Sequence, residues 1–593
     1  MARLGADPSA GATHFEVWAP DATTVEVVLA DRTVELVLAD PVAGTWAAVV
    51  DGVGHGHRYR IRLDGGEPLA DPASGWQPEG VFGPSAVVDA SRFTWTDDGW
   101  RGIALTDTVL YELHVGTFTP TGTLDAAVGE LDRLVRLGVT AIELMPVNEF
   151  PGARNWGYDG VFWSAVQHTY GGPEALARFV DAAHGLGLGV VLDVVYNHLG
   201  PEGSVHRRFA PYYTELVRTP WGDAINLAGP ASDAVRRTIV ESACHWITDF
   251  HIDGLRVDAV HAIHDPTARP FLEELTAAVH AVGAASGRSV LMIAESSDND
   301  PRIVRAPALG GAGYDAVWDD DVHHAVRVAL TGDRRGYYVD YDGAVDVATV
   351  LTHRWLFSGR YSAYRGRTHG RPADDVPAER FVVFTMNHDH VGNTPAGARP
   401  PYDDRQRLVA AAAILLSPFT PMLFMGEEYA DPAPFPFFVD HADPELLEAV
   451  RHGRRREFRD EWTEDVADPA DPETYAGAVL TPALAATEPH RTVLAAYTEL
   501  LALRRRHDVL RGEAEQTVSL HGDTVVVDRR RGEPRSVLVL AFGTSPADIP
   551  VDVRALVVRF DSAAPEWGGA GTTIVDDGSV SVHPPSAVLL TTP

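Results

Sequence analysis

Two stretches decide how this chain reads: GVVLDVVYNH (189–198) and IDGLRVDAVH (252–261). Each is rich in apolar and β-branched residues and carries a carboxylate at or near its end, Asp193 in the first and Asp258 in the second. A strand covered on both faces reads as a continuous apolar run, because neither face needs to be polar. Six further runs of the same kind occur at TVLYELHV (108–115), TAIELMPV (140–147), SVLMIAE (289–295), YDAVWDD (314–320), FVVFTMN (381–387) and PMLFMGE (421–427). Between them lie helical patterns such as LDAAVGELDRLVRLG (124–138), PEALARFVDAAHGLG (173–187) and RPFLEELTAAVHAVG (269–283), the last two ending on a glycine suited to cap a helix. Alternating βα units imply a parallel sheet, and eight strands are what a closed (β/α)8 TIM barrel needs. The long excursion between the sixth and seventh runs reads as an insertion or a set of binding loops.

On either side the pattern changes. Residues 1–95 carry short alternating runs (HFEVWA, VEVVLA, TVELVL, TWAAVV, HRYRIRL) broken by turn residues, which predicts an N-terminal β-sandwich of immunoglobulin-like, carbohydrate-binding type. The Pro- and Gly-rich stretch DPASGWQPEGVFGPS (71–85) reads as a crossing to the catalytic unit. That unit, residues 96–510, holds the barrel, its inserted loops and two trailing helices, PELLEAVRHGRRREF and RTVLAAYTELLALRRRH. Short strands return in 511–593 (TVSLHG, TVVVDRR, SVLVLAFG) and predict a small C-terminal β domain. The arginine clusters at 454–456 and 504–506 read as solvated helix faces or helix C-terminal charges.

Charge narrows the partners. With 49 Lys and Arg against 83 Asp and Glu the formal net charge is −34, so nucleic acid and anionic membranes are disfavoured and a neutral polymer is acceptable. The single cysteine, Cys244, lies in an apolar helical pattern (VESACHWITDF) and reads as a packed small residue. The start MARLGADPSAG has no apolar targeting core, and no run of 18 apolar residues occurs, which predicts a cytoplasmic protein. No Cys/His cluster suggests a metal, and no cofactor is implied.

In a (β/α)8 barrel, residues at the C-terminal ends of the strands converge on one mouth. Asp193, Asp258, Glu295 and Asp389 all fall at such ends, after the third, fourth, fifth and seventh strands. A lone carboxylate there could be a helix cap, but four gathered carboxylates repel each other and lose hydration, so the fold has no reason to assemble them without a use. Cleaving a glycosidic bond with retention needs two carboxyl groups about 5–5.5 Å apart, one a nucleophile and the other a general acid/base. Arg256, two residues from Asp258 and so on the same strand face, suits a partner that keeps a nucleophile ionised. Glu295 follows LMIA and precedes two serines, an apolar setting that favours the protonated acid. Asp389 is then free to bind sugar hydroxyls. His198 and His388 lie within five residues of mouth carboxylates and can donate to the same sugar. Trp156 and Tyr158 follow the second strand; they serve either as faces for a sugar ring or as packing for the loop.

These motifs resemble the four conserved regions of glycoside hydrolase family 13, the α-amylase family: DVVYNH (193–198), GLRVDAVH (254–261), IAE (293–295) and NHD (387–389), in that order. The resemblance implies Asp258 as nucleophile, Glu295 as acid/base and Asp389 as transition-state stabiliser. It makes Arg256, Asp193, His198, His388 and Tyr158 binding residues for the sugar at the cleavage point. Within the family, YELHVGTFTPTGT, NWGYDGVFWSAVQHTYGG, GRYSAYRGRTHG, NHDHVGN and PFPFFVDHADPELLEAVRHGRRREF resemble members that release trehalose from the end of a maltooligosyl chain. That implies maltooligosyltrehalose, or another α-glucan, as substrate, and an enzyme forming maltooligosyltrehalose as the preceding step. His390 stands where the resemblance leads one to expect glutamine, and PFPFF (434–438) departs from the expected pattern of Pro-Phe followed by two aromatic residues. Glycogen branching or debranching enzymes of the same family, and a non-catalytic glucan-binding relative, are the alternatives.

Overall fold

In the computed structural model the described residues are all except 1–2, 220–221, 459–464, 572 and 577, so the first two residues of the N-terminal run lie outside them. The eight apolar runs form eight parallel strands: Leu110–Leu113, Ala141–Leu144, Gly189–Val194, Gly254–Val257, Leu291–Ala294, Ala316–Trp318, Phe381–Phe384 and Thr420–Phe424. Each pairs with its neighbour in chain order, and the eighth pairs back onto the first to close the barrel. The expected strands are all present, each shorter than the run that announced it.

Side chains along a strand alternate between faces, so every second residue points into the barrel. Leu110, Ala141, Val191, Leu291, Ile293, Val382 and Met422 form an interior apolar cluster with Ile103, against which Trp100 and Leu105 pack. Two residues onward from Leu110, Ala141 and Val191 come Glu112, Glu143 and Asp193, and Arg256 is in register with Asp193 across the next strand pair. An apolar floor thus carries a charged layer directly above it, and that layer underlies the mouth.

The N-terminal strands make two four-stranded sheets. One is built from Gly5–Ser9, Ala12–Trp18, Thr45–Asp51 and Val37–Asp40; the other from Thr33–Glu35, Val25–Leu29, Arg58–Leu63 and Ser85–Ala86. The run TVELVL, expected as one strand, divides at the buried Leu36 and serves both sheets. Gly5–Ser9 was not anticipated because GADPS has the composition of a turn, yet it pairs antiparallel with Ala12–Glu16. The C-terminal region holds a five-stranded and a three-stranded sheet, with Val526, Val537, Val539, Val580 and Val588 in a shared core.

LDAAVGELDRLVRLG is helical as expected, in two short helices, Leu124–Val128 and Leu131–Leu137. Two local expectations are corrected. The helix expected to stop at Gly283 runs over Phe271–Ala285, and the residue with left-handed backbone is Gly287 (φ +67°). Gly283 instead serves packing, since a Cβ there would meet the Val290 side chain at 2.6 Å. Arg504 is not solvated: it is buried and donates to the carbonyls of Leu415, Ser417 and Phe419, holding the turn that leads into the eighth strand. Burial pulls its guanidinium down to about 9.

Candidate active site

The fourth strand ends at Val257, and Asp258 follows with its N–H bonded to the Val194 carbonyl of the third strand (3.0 Å). Arg256, fully buried, reaches up from inside the barrel. Its Nη1 donates to both oxygens of Asp193 (3.0 and 2.8 Å) and to Oδ1 of Asp258 (2.8 Å). Its Nη2 lies 3.9 Å from Oε2 of Glu295, and the guanidinium rests over the Trp318 ring at 4.1 Å. The other oxygen of Asp258 accepts from Asn197 Nδ2 (2.7 Å). Asp258 is therefore held from two sides by donors, the arrangement that stabilises a carboxylate. The spacing expected of Arg256 and Asp258 is realised, and Asp193 shares the same cation. Burial raises Asp193 to about 7, with Arg256 opposing it.

Glu295 ends the fifth strand and is knitted to the fourth. Its backbone N–H bonds Val257, its carbonyl receives Val260 N–H, and its Oε2 accepts from Ala259 N–H (2.7 Å). Burial raises the Glu295 carboxyl above the usual range; Arg256 opposes this, while Asp258 and Asp389 reinforce it. The apolar setting read from LMIA is present, and the adjacent carboxylates strengthen its effect.

After the seventh strand, Asn387 caps the short helix His388–Gly392 by accepting from His390 N–H. Asp389 is the most open of the carboxylates, with 44% of its side chain exposed. His388 is buried, with Nδ1 2.5 Å from Oε1 of Glu112 and Nε2 2.9 Å from the Tyr158 hydroxyl. Burial disfavours its charge, but Asp389 and Glu112 outweigh burial and hold it up to about 9. The imidazolium then donates on both sides, and Tyr158, accepting from it, donates in turn to Asp193 Oδ2 (2.6 Å). Tyr158 also stacks on the His388 ring (5.1 Å between centroids, 24°). His198 reaches the Tyr158 carbonyl (3.0 Å) and the side-chain oxygen of Asn197.

Trp156 is placed differently from the rest. Its indole is buried, stacks on Phe435 (5.2 Å, 14°), meets His388 edge-on (5.3 Å) and donates to the Pro436 carbonyl (3.0 Å). Against it lies Gly392, where a Cβ would come within 2.0 Å of the indole. Trp156 thus supports His388 from behind. Reading the sequence missed Glu112, Glu143 and Asn197. Glu112 and Glu143 are visible only as carboxylates two residues beyond an apolar inward position, a signal that needs the barrel to interpret. Glu143 is fully buried with neither carboxyl oxygen hydrogen-bonded; burial, and then Glu112, push its carboxyl well above the usual range.

Residues 90–215 match the family model described as alpha amylase, catalytic domain, and residues 3–76 match carbohydrate-binding module 48 (isoamylase N-terminal domain). The chain is 48% identical over 563 residues to the malto-oligosyltrehalose trehalohydrolase of Arthrobacter ramosus, covering 94% of this chain and 95% of that one. The chain belongs to the malto-oligosyltrehalose trehalohydrolase family. The trehalohydrolase of Mycobacterium tuberculosis is 43% identical over 564 residues, with 93% and 96% coverage. The trehalohydrolase fold is shared along its whole length with a crystal structure of a Salmonella typhimurium protein assigned to the α-amylases, at 35% identity, full coverage of both chains and a TM-score of 0.90. The malto-oligosyltrehalose trehalohydrolases are glycosidases of the α-amylase family, and this chain is one.

Proposed function

We propose that this chain hydrolyses, with retention, the α-1,4-glucosidic bond next to the terminal α,α-trehalose of maltooligosyltrehalose and releases trehalose. The observation that carries the chemistry is the attachment of Asp258 and Glu295 to one framework: Arg256 touches the first, and Ala259 N–H binds the second. Glu295, favoured in its protonated form, gives its proton to the glycosidic oxygen as the bond breaks. Asp258 attacks the anomeric carbon to form a glycosyl-enzyme intermediate, and Glu295, now a base, activates the water that hydrolyses it. Asp389, the open carboxylate, binds hydroxyls of the same glucosyl unit and supports its distortion toward the oxocarbenium-like state. His388 and Tyr158 line that unit, Asp193 and Arg256 fix the floor beneath it, and His198 steadies the Tyr158 loop.

The choice of substrate rests on identity with trehalohydrolases across nearly the whole chain. We place the reaction in the cytoplasm, after a step that forms maltooligosyltrehalose; among the described residues no helix is long and apolar enough to cross a membrane. End-product analysis on maltooligosyltrehalose, beside amylose and glycogen, tests the assignment. Free trehalose is the expected product. Its absence, or cleavage or formation of α-1,6 bonds, would transfer the chain to the branching or debranching reading.

A further inference from the structure

The mouth carries one more carboxyl that the scheme above leaves idle. Asp320 opens the helix Asp320–Thr331 that follows the sixth strand, and a third of its side chain is exposed. Its Oδ1 lies 3.5 Å from Nε2 of His390, the residue that stands in place of the expected glutamine. The His390 ring lies flat on His323 (3.8 Å, 13°), and His323 is itself fixed at both nitrogens, by the Thr385 carbonyl (2.5 Å) and the Tyr338 hydroxyl (3.0 Å). Burial holds His323 and His390 well below the ordinary histidine range, so this wall is uncharged and cannot form an ion pair with Asp320.

We propose that Asp320 is a further substrate-binding residue, presenting a hydrogen-bond donor to a hydroxyl of the glucosyl unit held between Glu295 and Asp389, with His390 as the residue that positions it. This rests on the glycosidase reading of the site. The groups whose charge acts on Asp320 are Glu295 from the fifth strand, Asp389 from the seventh, Asp321 on its own helix and Arg256 from the fourth, and its own charge bears on Tyr337, Tyr338 and Tyr341. Burial, then Glu295 and Asp389, raise its carboxyl to about 8. A carboxyl so raised stays protonated at neutral pH and adds a donor to a mouth crowded with acceptors. His390 Nε2, 3.5 Å from Oδ1, sets one carboxyl oxygen against the histidine wall and leaves Oδ2 for the sugar. A glutamine at 390 presents an amide N–H of similar reach, so His390→Gln is the conservative replacement here.

The test compares wild type with Asp320→Ala, Asp320→Asn, His390→Gln and His390→Phe on whichever α-glucan the wild type turns over. Asp320→Ala should lower kcat/KM about tenfold at pH 7, chiefly through KM, the loss expected of one neutral hydrogen bond. Asp320→Asn, which keeps a donor, should recover most of it; His390→Phe should follow the alanine variant, and His390→Gln should recover. Wild-type kcat/KM should fall above about pH 8 in a step that Asp320→Asn lacks. An alanine variant equal to wild type, or an asparagine variant as poor as alanine, overturns the proposal. Failure to release trehalose while amylose is hydrolysed sinks the substrate assignment but leaves this comparison intact. Carbon-13 carboxyl spectra of aspartate-labelled protein add a readout independent of turnover: one signal titrating near 8 should vanish in Asp320→Asn, and its persistence would refute the proposal.

Discussion

Glu295 accepts a 2.7 Å hydrogen bond from the backbone N–H of Ala259, the residue that immediately follows Asp258. The proposed acid and nucleophile therefore cannot drift apart without breaking a main-chain contact. Ala259 has φ +42°, a left-handed conformation that a side chain tolerates poorly. Ala259→Gly should leave turnover within a few fold of wild type, whereas the β-branched Ala259→Val should be destabilised by about 1–2 kcal/mol and lose activity. Equal thermal midpoints for the two variants would remove backbone strain from the explanation.

Glu295→Gln should depress hydrolysis by about 10²–10⁴-fold, because an amide can accept from Ala259 but cannot deliver a proton. Asp258→Ala should be at least as damaged, since no nucleophile remains. Thermal melts should show both variants folded. Near-normal single-turnover rates in either would overturn its assigned role.

Arg256 neutralises two buried carboxylates with one guanidinium nitrogen. Arg256→Met should cost about 3–5 kcal/mol of stability, because it strands Asp193 and Asp258 without their cation. Denaturant titration of Arg256→Met and of the double variant Arg256→Met/Asp193→Asn separates the causes. The second should recover part of the loss; no recovery would mean that the guanidinium matters for packing alone.

His388 is held up to about 9 in the folded protein, against an ordinary histidine value near 6.5. A raised histidine contributes stability that is complete below its unfolded value and disappears as pH rises through its folded value. The stability difference between wild type and His388→Gln should thus be greatest at pH 6 and shrink by about 3 kcal/mol on going to pH 10. Calorimetry across that range checks the sign, and a difference that grows with pH would contradict a cationic His388.

Glu143 leaves both carboxyl oxygens without partners inside the barrel. Replacing an unsatisfied buried polar group by an apolar one of similar volume removes a penalty of about 1–3 kcal/mol. Glu143→Met should accordingly raise the melting temperature. A lower midpoint would show that the carboxyl has a partner essential to the fold.

Most of the barrel was legible because a strand buried on both faces leaves an apolar run that little else produces, and eight such runs leave few other folds. The mouth residues were legible because they end those runs. Glu112 and Glu143 were not, since a carboxylate within a four-residue strand gives no local sign that two residues of register will carry it into the barrel. Gly283 and Gly287 show the same limit: both suit a helix end, and only the approach of Val290 reveals that the first is there for want of a side chain. Arg504 looked like one charge among three, because burial depends on a turn almost ninety residues away in sequence. Trp156 was recognised as either platform or packing, and its contact with Gly392 favours packing.

The grip of Arg504 on the carbonyls of Leu415, Ser417 and Phe419 bears on how such a chain is taken apart and recombined. The helix His490–Arg506 is joined to the approach of the last barrel strand, although it stands beside the C-terminal sheets in sequence. A graft that exchanges those sheets between relatives has its natural seam beyond Arg506. One cut ahead of His490 would remove a clasp from the barrel along with the appendage.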